Sequence, residues 1–164
     1  AMTARILTTA LVLALLSTSA FAANGKSVEA VATHDAASLQ QLYMQFLERE
    51  GFRPHVDSDG DVQFKAEGKT YFIDVTEKDL QYFNLVLPNI WPIESEEERL
   101  QVLRANDQAN RTCKATKMYM VKDNVWIGIE LFVETPEDFE KIFKRCMTGI
   151  QCGIKTFVEN MRGE

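Results

Sequence analysis

The chain has 164 residues, 46% of them apolar and 26% charged, with a net charge of −6. That balance excludes a disordered or low-complexity protein and fits one domain of ordinary size. Its 18 Lys and Arg face 24 Asp and Glu and form no basic run, a poor match for nucleic-acid phosphates or an anionic membrane surface.

Ala1 ahead of Met2 reads as a remnant, with Met2 the natural start. Arg5 supplies a positive charge, Ile6 to Leu16 an apolar stretch, and Ala20-Phe21-Ala22 an A-x-A cleavage site. This is the pattern of a cleavable export signal over residues 1–22, cut after Ala22. The apolar stretch falls short of the roughly 20 residues that cross a bilayer, so no stable membrane span is expected after cleavage. The expected address is the periplasm or the cell exterior. Residues 23–34 read as a polar, mobile lead-in, and residues 35–162 as a single domain.

Within that domain, Leu39, Leu42, Tyr43, Phe46 and Leu47 recur at helical spacing after a cap at Asp35 or Ser38, and Gly51 ends the helix. Arg53 to Asp57 carries Pro54 and reads as a short edge strand or bulge. Val62, Phe64 and Ala66 alternate with polar residues, as do Tyr71, Ile73 and Val75 after the turn at Glu67-Gly68-Lys69. A further apolar strand over Leu80 to Leu87 ends at Pro88, and Pro88 to Ile93 reads as a loop. Such short connections require an antiparallel meander.

Ser95 with Glu98 predicts a capping box for a second helix, with Leu100, Leu103, Asn106, Asp107 and Asn110 along one stripe. Ala115 to Val121 and Val125 to Val133 predict a hairpin across Lys122-Asp123-Asn124. Thr135-Pro136-Glu137-Asp138 opens a third helix with a stripe from Phe139 to Met161. Gly149 and Gly153 in it mark a kink or a close packing contact. The fold class is α+β: one antiparallel sheet with helices packed on one face, in the order α, β-meander, α, β-hairpin, α.

Cys113, Cys146 and Cys152 are the disulfide candidates, since an exported chain favours disulfides. Three is odd, so at least one thiol stays free or pairs between chains. On an unbroken helix Cys146 and Cys152 point about 240° apart, so joining them needs a break near Gly149. Cys113 with one of them is the other arrangement, and buried, unbonded packing is the third.

No constellation for catalysis stands out. Ser27, Ser38, Ser58 and Ser95 sit at caps, turns or the lead-in, and His34 and His55 lie beside no activated nucleophile. Asp57-Ser58-Asp59-Gly60-Asp61 resembles a calcium loop. An EF-hand register from Asp57 puts Val62 where Gly is needed and Gly68 where Glu is needed; starting at His55 fails at both ends. The segment reads as an acid-flanked turn. No Gly-rich phosphate cradle, metal site or cofactor site is expected. Three polar or aromatic residues remain as partner-binding candidates: Trp91, between two prolines, as an interface anchor or a core lid, and Asn106 and Asn110, as ligand contacts or backbone bonds.

The pattern resembles the YbjN-domain family over residues 36–161. The likeness rests on Asp59-Gly60-Asp61-Val62-x-Phe64 before Gly68-Lys69-x-Tyr71, on Asn106-x-x-x-Asn110, and on Pro136-x-x-Phe139. It implies a fold like that of type III secretion chaperones, no catalytic residues, and a role among regulators. Chaperones of that shape hold segments of partner proteins and dimerise. The expectation is therefore an exported, non-catalytic, chaperone-like or regulatory protein-binding domain, with a homodimer in view. The alternative is a periplasmic small-molecule sensor or carrier with a pocket between sheet and helices.

Overall fold

The structure, a computed structural model, describes residues 35–163. The export signal of residues 1–22 and the lead-in of residues 23–34 lie outside the described residues. The elements run α1 (Ala36–Arg49), β1 (His55–Val56), β2 (Val62–Ala66), β3 (Lys69–Ile73), β4 (Tyr82–Pro92), α2 (Glu96–Thr112), β5 (Thr116–Val121), β6 (Asn124–Phe132) and α3 (Phe139–Arg162). A 3-10 turn over Pro136–Asp138 leads into α3. All six strands join one antiparallel sheet in the order β1-β2-β3-β4-β6-β5. The α+β class expected from the sequence is the class observed. Among the described residues, no helix is long and apolar enough to cross a membrane.

Local chemistry explains the boundaries. Asp35 and Ser38 cap each other's N–H groups at 2.8 Å in both directions, which starts α1. Gly51, at φ +90°, takes the left-handed turn beyond its end. Glu67 and Gly68, both at positive φ, make the tight turn that lets β3 fold back on β2.

The core lies on one face of the sheet. Val62, Phe64, Tyr71, Ile73, Leu85, Leu87, Met118, Ile127 and Ile129 point to it by strand alternation and are buried. The helices cover this face. Tyr43 and Phe46 of α1 meet Phe139 of α3 edge to face at 4.9 and 4.8 Å, and Tyr43 also reaches Phe83. The two helix glycines are sites of close packing: α3 runs unbroken, and Gly149 and Gly153 lie directly over Ile129 and Ile127.

Three expectations need correction. Pro88 does not end β4. The strand passes through a bulge between Leu87 and Trp91, with Asn89 at φ +55°, and pairs again as Trp91↔Val125 and Pro92↔Asn124. By then β3 has parted from β4, so the prolines stand on a local edge where no ladder donor is missed. Trp91 is thus a strand residue, not a loop residue.

The stripe expected on α2 is displaced as well. Leu100 and Leu103 are 60% and 46% exposed, and the buried side carries Val102, Ala105, Asn106 and Ala109. Small residues face α3 and β5, and the leucines are left outward. Finally, the α2 cap is one-sided. Ser95 accepts from the Glu98 N–H at 3.1 Å, but the Glu98 carboxylate bonds the Glu94 N–H and the Trp91 indole instead of the Ser95 N–H.

Candidate functional site

No helix among the described residues packs on the opposite face of the sheet, where the residues of the other parity project. Strand register lays them out in rows. One row runs from Asp61 and Asp74, each one residue beyond the paired ends of β2 and β3, to Asn84 and Glu130, paired on β4 and β6. The next reads Gln63, Phe72, Val86, Gly128, Lys117. Beyond them Trp126 faces Tyr119, with ring centroids 6.4 Å apart.

The first row is acidic and held by its own side chains. The Val75 N–H donates to Asp61 Oδ1 at 2.8 Å, fixing that carboxylate beside Asp74. Asn84 Nδ2 donates to Asp74 Oδ2 at 2.6 Å, while Asn84 Oδ1, buried in a residue only 6% exposed, has no partner. Gly128 lies under that oxygen; a Cβ there would sit 3.4 Å from it. Asp57 completes the group by accepting the Asp59 and Asp61 N–H groups at 2.9 and 3.0 Å.

No salt bridge among the described residues reaches Asp57, Asp59, Asp61 or Asp74. Glu130 alone is paired, with Lys117 at 2.7 Å. Burial first and neighbouring charge second show in the titrating groups. Burial pushes the Asp74 carboxyl up, against the Asn84 hydrogen bond, and the Asp61 and Glu130 charges push the same way as burial. Burial, then Glu130 and Asp74, push the Tyr82 phenol up to about 12. Among the described residues, no group of three or more His, Cys, Asp or Glu is placed to hold a metal ion.

A hollow of about 340 Å³ opens over this face, between the Asp57 to Asp61 turn and Trp126, with Phe72, Asn84 and Val86 in its lining. A second, of about 490 Å³, adjoins it through Phe72, Pro88 and Asn89. It follows the gap where β3 leaves β4, and Ile90 and Ile154 line its far part. Asn89, the bulge residue, accepts from the Trp126 indole N–H at 3.1 Å and so ties the bulge to the face.

The sequence-derived candidates lie elsewhere. Trp91 is half-buried, edge-on to Phe157 at 5.7 Å, and donates to Glu98 Oε1 at 2.8 Å. The Glu94 N–H and this indole N–H hold Glu98 below the usual carboxylate range. Asn106 is buried on α2, and its Oδ1 has no partner. Asn110 bonds both the N–H and the carbonyl of Met118 in β5. Cys113 and Cys152 form a disulfide that ties the end of α2 to α3, and Cys146 is a free, buried thiol. The structure does not bring Trp91, Asn106 and Asn110 into the acidic face.

The sequence did carry a signal for that face. Phe72, Val86 and Trp126 are apolar at positions that alternation assigns to the outer side, and a solvated antiparallel sheet alternates cleanly. No protein-family model matches the chain, and a search of curated proteins finds no match.

Proposed function

We propose that this chain is an exported, non-catalytic binding domain that holds a segment of a partner protein on the bare face of its sheet. The observation that carries the reading is that face itself: Phe72, Tyr119 and Trp126 stand half-exposed on it around an adjoining pair of hollows, with no helix of the described residues above them. A contiguous patch of aromatic and apolar side chains at the surface favours a docked partner. The Cys113–Cys152 disulfide supports an oxidising compartment, in line with the A-x-A export pattern. The sequence likeness to YbjN-domain proteins supports a regulatory or chaperone-like role. The non-catalytic reading is supported by the remaining thiol, Cys146, which is buried with its pKa pushed up to about 11.

Site-specific photo-crosslinking in the native compartment tests this. A crosslinker placed at Tyr119 is expected to yield a discrete protein adduct, and one placed at exposed Leu100 on α2 is not. Adducts from position 100 alone, or from neither position, overturn the reading.

A second reading, a small-molecule carrier, is favoured by one feature. A cleft of about 490 Å³ between α3 and the β5–β6 hairpin is lined by Ile129, Leu131 and Ile142, with Lys114 and Arg145 also in its lining. Apolar walls beside cationic groups suit an amphipathic anion. Calorimetry with laurate as the probe tests it; heat that Arg145→Ala leaves unchanged counts against it.

A further inference from the structure

The acidic row breaks a rule of sheet stability. Asp61 and Asp74 each stand one residue beyond the Val62↔Ile73 pair that ends the β2–β3 ladder, and like charges placed side by side there repel. Neither carboxylate has a cation within the described residues. Beside them Asn84 Oδ1 is buried and unpartnered in the lining of the same hollow. Local rules are broken most often where function requires it.

Asp61 and Asp74 each accept one hydrogen bond, from Val75 and Asn84, and Asn84 Oδ1 accepts none, so acceptor capacity is left over at all three. Asp61, Asp74 and Asn84 Oδ1 all offer acceptors, and the first two offer negative charge. What completes them must bring several donors and a positive charge. The carboxylates are strung along a row and are not gathered to chelate an ion. The ground around them is aromatic, with Phe72, Tyr119 and Trp126 lining the hollow. An aromatic ring beside a carboxylate suits a broad organic cation. The face already seats a small cation in this way: Lys117 Nζ lies 5.5 Å from the Tyr119 ring centroid and 2.7 Å from Glu130 Oε1.

We infer that Asp61, Asp74 and Asn84 receive the guanidinium or ammonium group of a basic side chain. The partner segment is thus an extended peptide with Arg or Lys over this row and apolar residues toward the gap between β3 and β4. The inference rests on the reading of the bare face as the binding surface. The planar fork of Arg fits the row better than the compact head of Lys, because its donors can span two neighbouring carboxylates at once. Pro88 and Ile90 in the adjoining hollow take an apolar side chain two positions along the extended segment.

The test uses the full chain and two synthetic probes, acetyl-Arg-Ser-Val-Ser-Arg-Ser-Val-amide, whose Arg and Val share one side of an extended chain, and its analogue with citrulline for each Arg. Citrulline keeps the shape and removes the charge. Calorimetry is expected to show the citrulline probe at least about tenfold weaker. Asp74→Asn and Asp61→Asn are each expected to weaken the Arg probe about tenfold and to leave the citrulline probe unchanged. The Gly128 amide and the Trp126 indole resonances are expected to shift with the Arg probe.

Equal binding of both probes at those resonances overturns the cation and leaves the face as a binding surface. Shifts confined to other resonances, or no binding up to about 1 mM, overturn the inference as well. Displacement of the Arg probe by calcium chloride at the same resonances assigns the row to a metal instead. A dimer in sedimentation that Asp74→Asn dissolves assigns the face to a second copy of this chain. Whether the face is a docking surface at all is judged separately, by the crosslink from Tyr119.

Discussion

The Asn110 side chain pairs with both main-chain groups of Met118, donating from Nδ2 to the carbonyl at 3.2 Å and accepting from the N–H at 2.8 Å. Met118 lies on β5, the outer strand of the sheet next to β6. An open strand edge is a template for pairing with another chain, and an amide from α2 occupies this one where a further strand would bond. Asn110→Ala leaves two strand groups without these partners. It is expected to cost about 1–3 kcal/mol in urea unfolding. It is also expected to raise the apparent mass in concentrated solution, read by light scattering. A variant as stable and as monodisperse as the parent would show that the edge needs no cover.

Asp74 links the acidic face to stability. Its carboxyl is pushed up from the ordinary 3.8 chiefly by burial, so the folded state holds the proton more tightly than the unfolded chain. The unfolded state then binds fewer protons than the folded one, and this group's contribution to stability rises as pH falls through the raised value, complete near 3.8. At neutral pH the ionised group opposes folding. Asp74→Asn removes the charge and keeps an acceptor for Asn84 Nδ2. The expected result is a higher melting temperature at pH 7, with the gain over the parent shrinking as the pH is lowered toward 4. A gain that is absent, or that grows on acidification, contradicts the assignment. A variant that is more stable yet binds the Arg probe less well is what a functional site predicts.

The two states of cysteine in this chain make a direct chemical prediction. Burial holds the Cys146 thiol up at about 11, and the other two cysteines are bonded to each other. Ellman titration of the native protein is expected to find no rapidly reacting thiol. Under denaturant it should find one, and after reduction three. The bridge spans a sequence separation of 39, so replacing both Cys113 and Cys152 by Ala is expected to cost about 2–4 kcal/mol. A fast thiol in the native protein would place Cys146 at the surface, against the packing seen.

Much of this architecture was legible because its signals are local. The Asp35 cap, the alternation of Val62 and Phe64 and the spacing from Phe139 to Met161 each fix an element through a few neighbours. The errors came where distant partners decide. Pro88 looks like a strand end until β6 re-pairs with Trp91. Leu100 and Leu103 look like core until Ala105 and Ala109 take the side against α3 and β5. The acidic face is harder still. Asn84 and Glu130 lie on β4 and β6, Asp61 and Asp74 just beyond the paired ends of β2 and β3, and only the pairing of distant strands brings them together. What the sequence offered was the misplaced apolarity of Phe72, Val86 and Trp126, which says that the outer side is used without saying what charge lies beside it.

Gly149 and Gly153 present one chemical change in two surroundings. A Cβ on Gly153 would collide with Ile127 Cδ1 and lie 3.5 Å from Thr116 Cγ2, and Ile127 is wholly buried. A Cβ on Gly149 would come within 2.7 Å of Ile129 Cδ1, but both residues line the cleft beside α3, which gives that methyl room to turn. Alanine favours a helix over glycine by about 1 kcal/mol at either position. Gly149→Ala is therefore expected to be neutral or slightly stabilising in urea unfolding. Gly153→Ala is expected to lose about 1–3 kcal/mol to overpacking. Ile127→Val removes the colliding methyl and, combined with Gly153→Ala, should recover part of the loss; the coupling in that double-mutant cycle measures the contact. Additive costs for the pair would mean that the helix yields at Gly153 and the sheet does not.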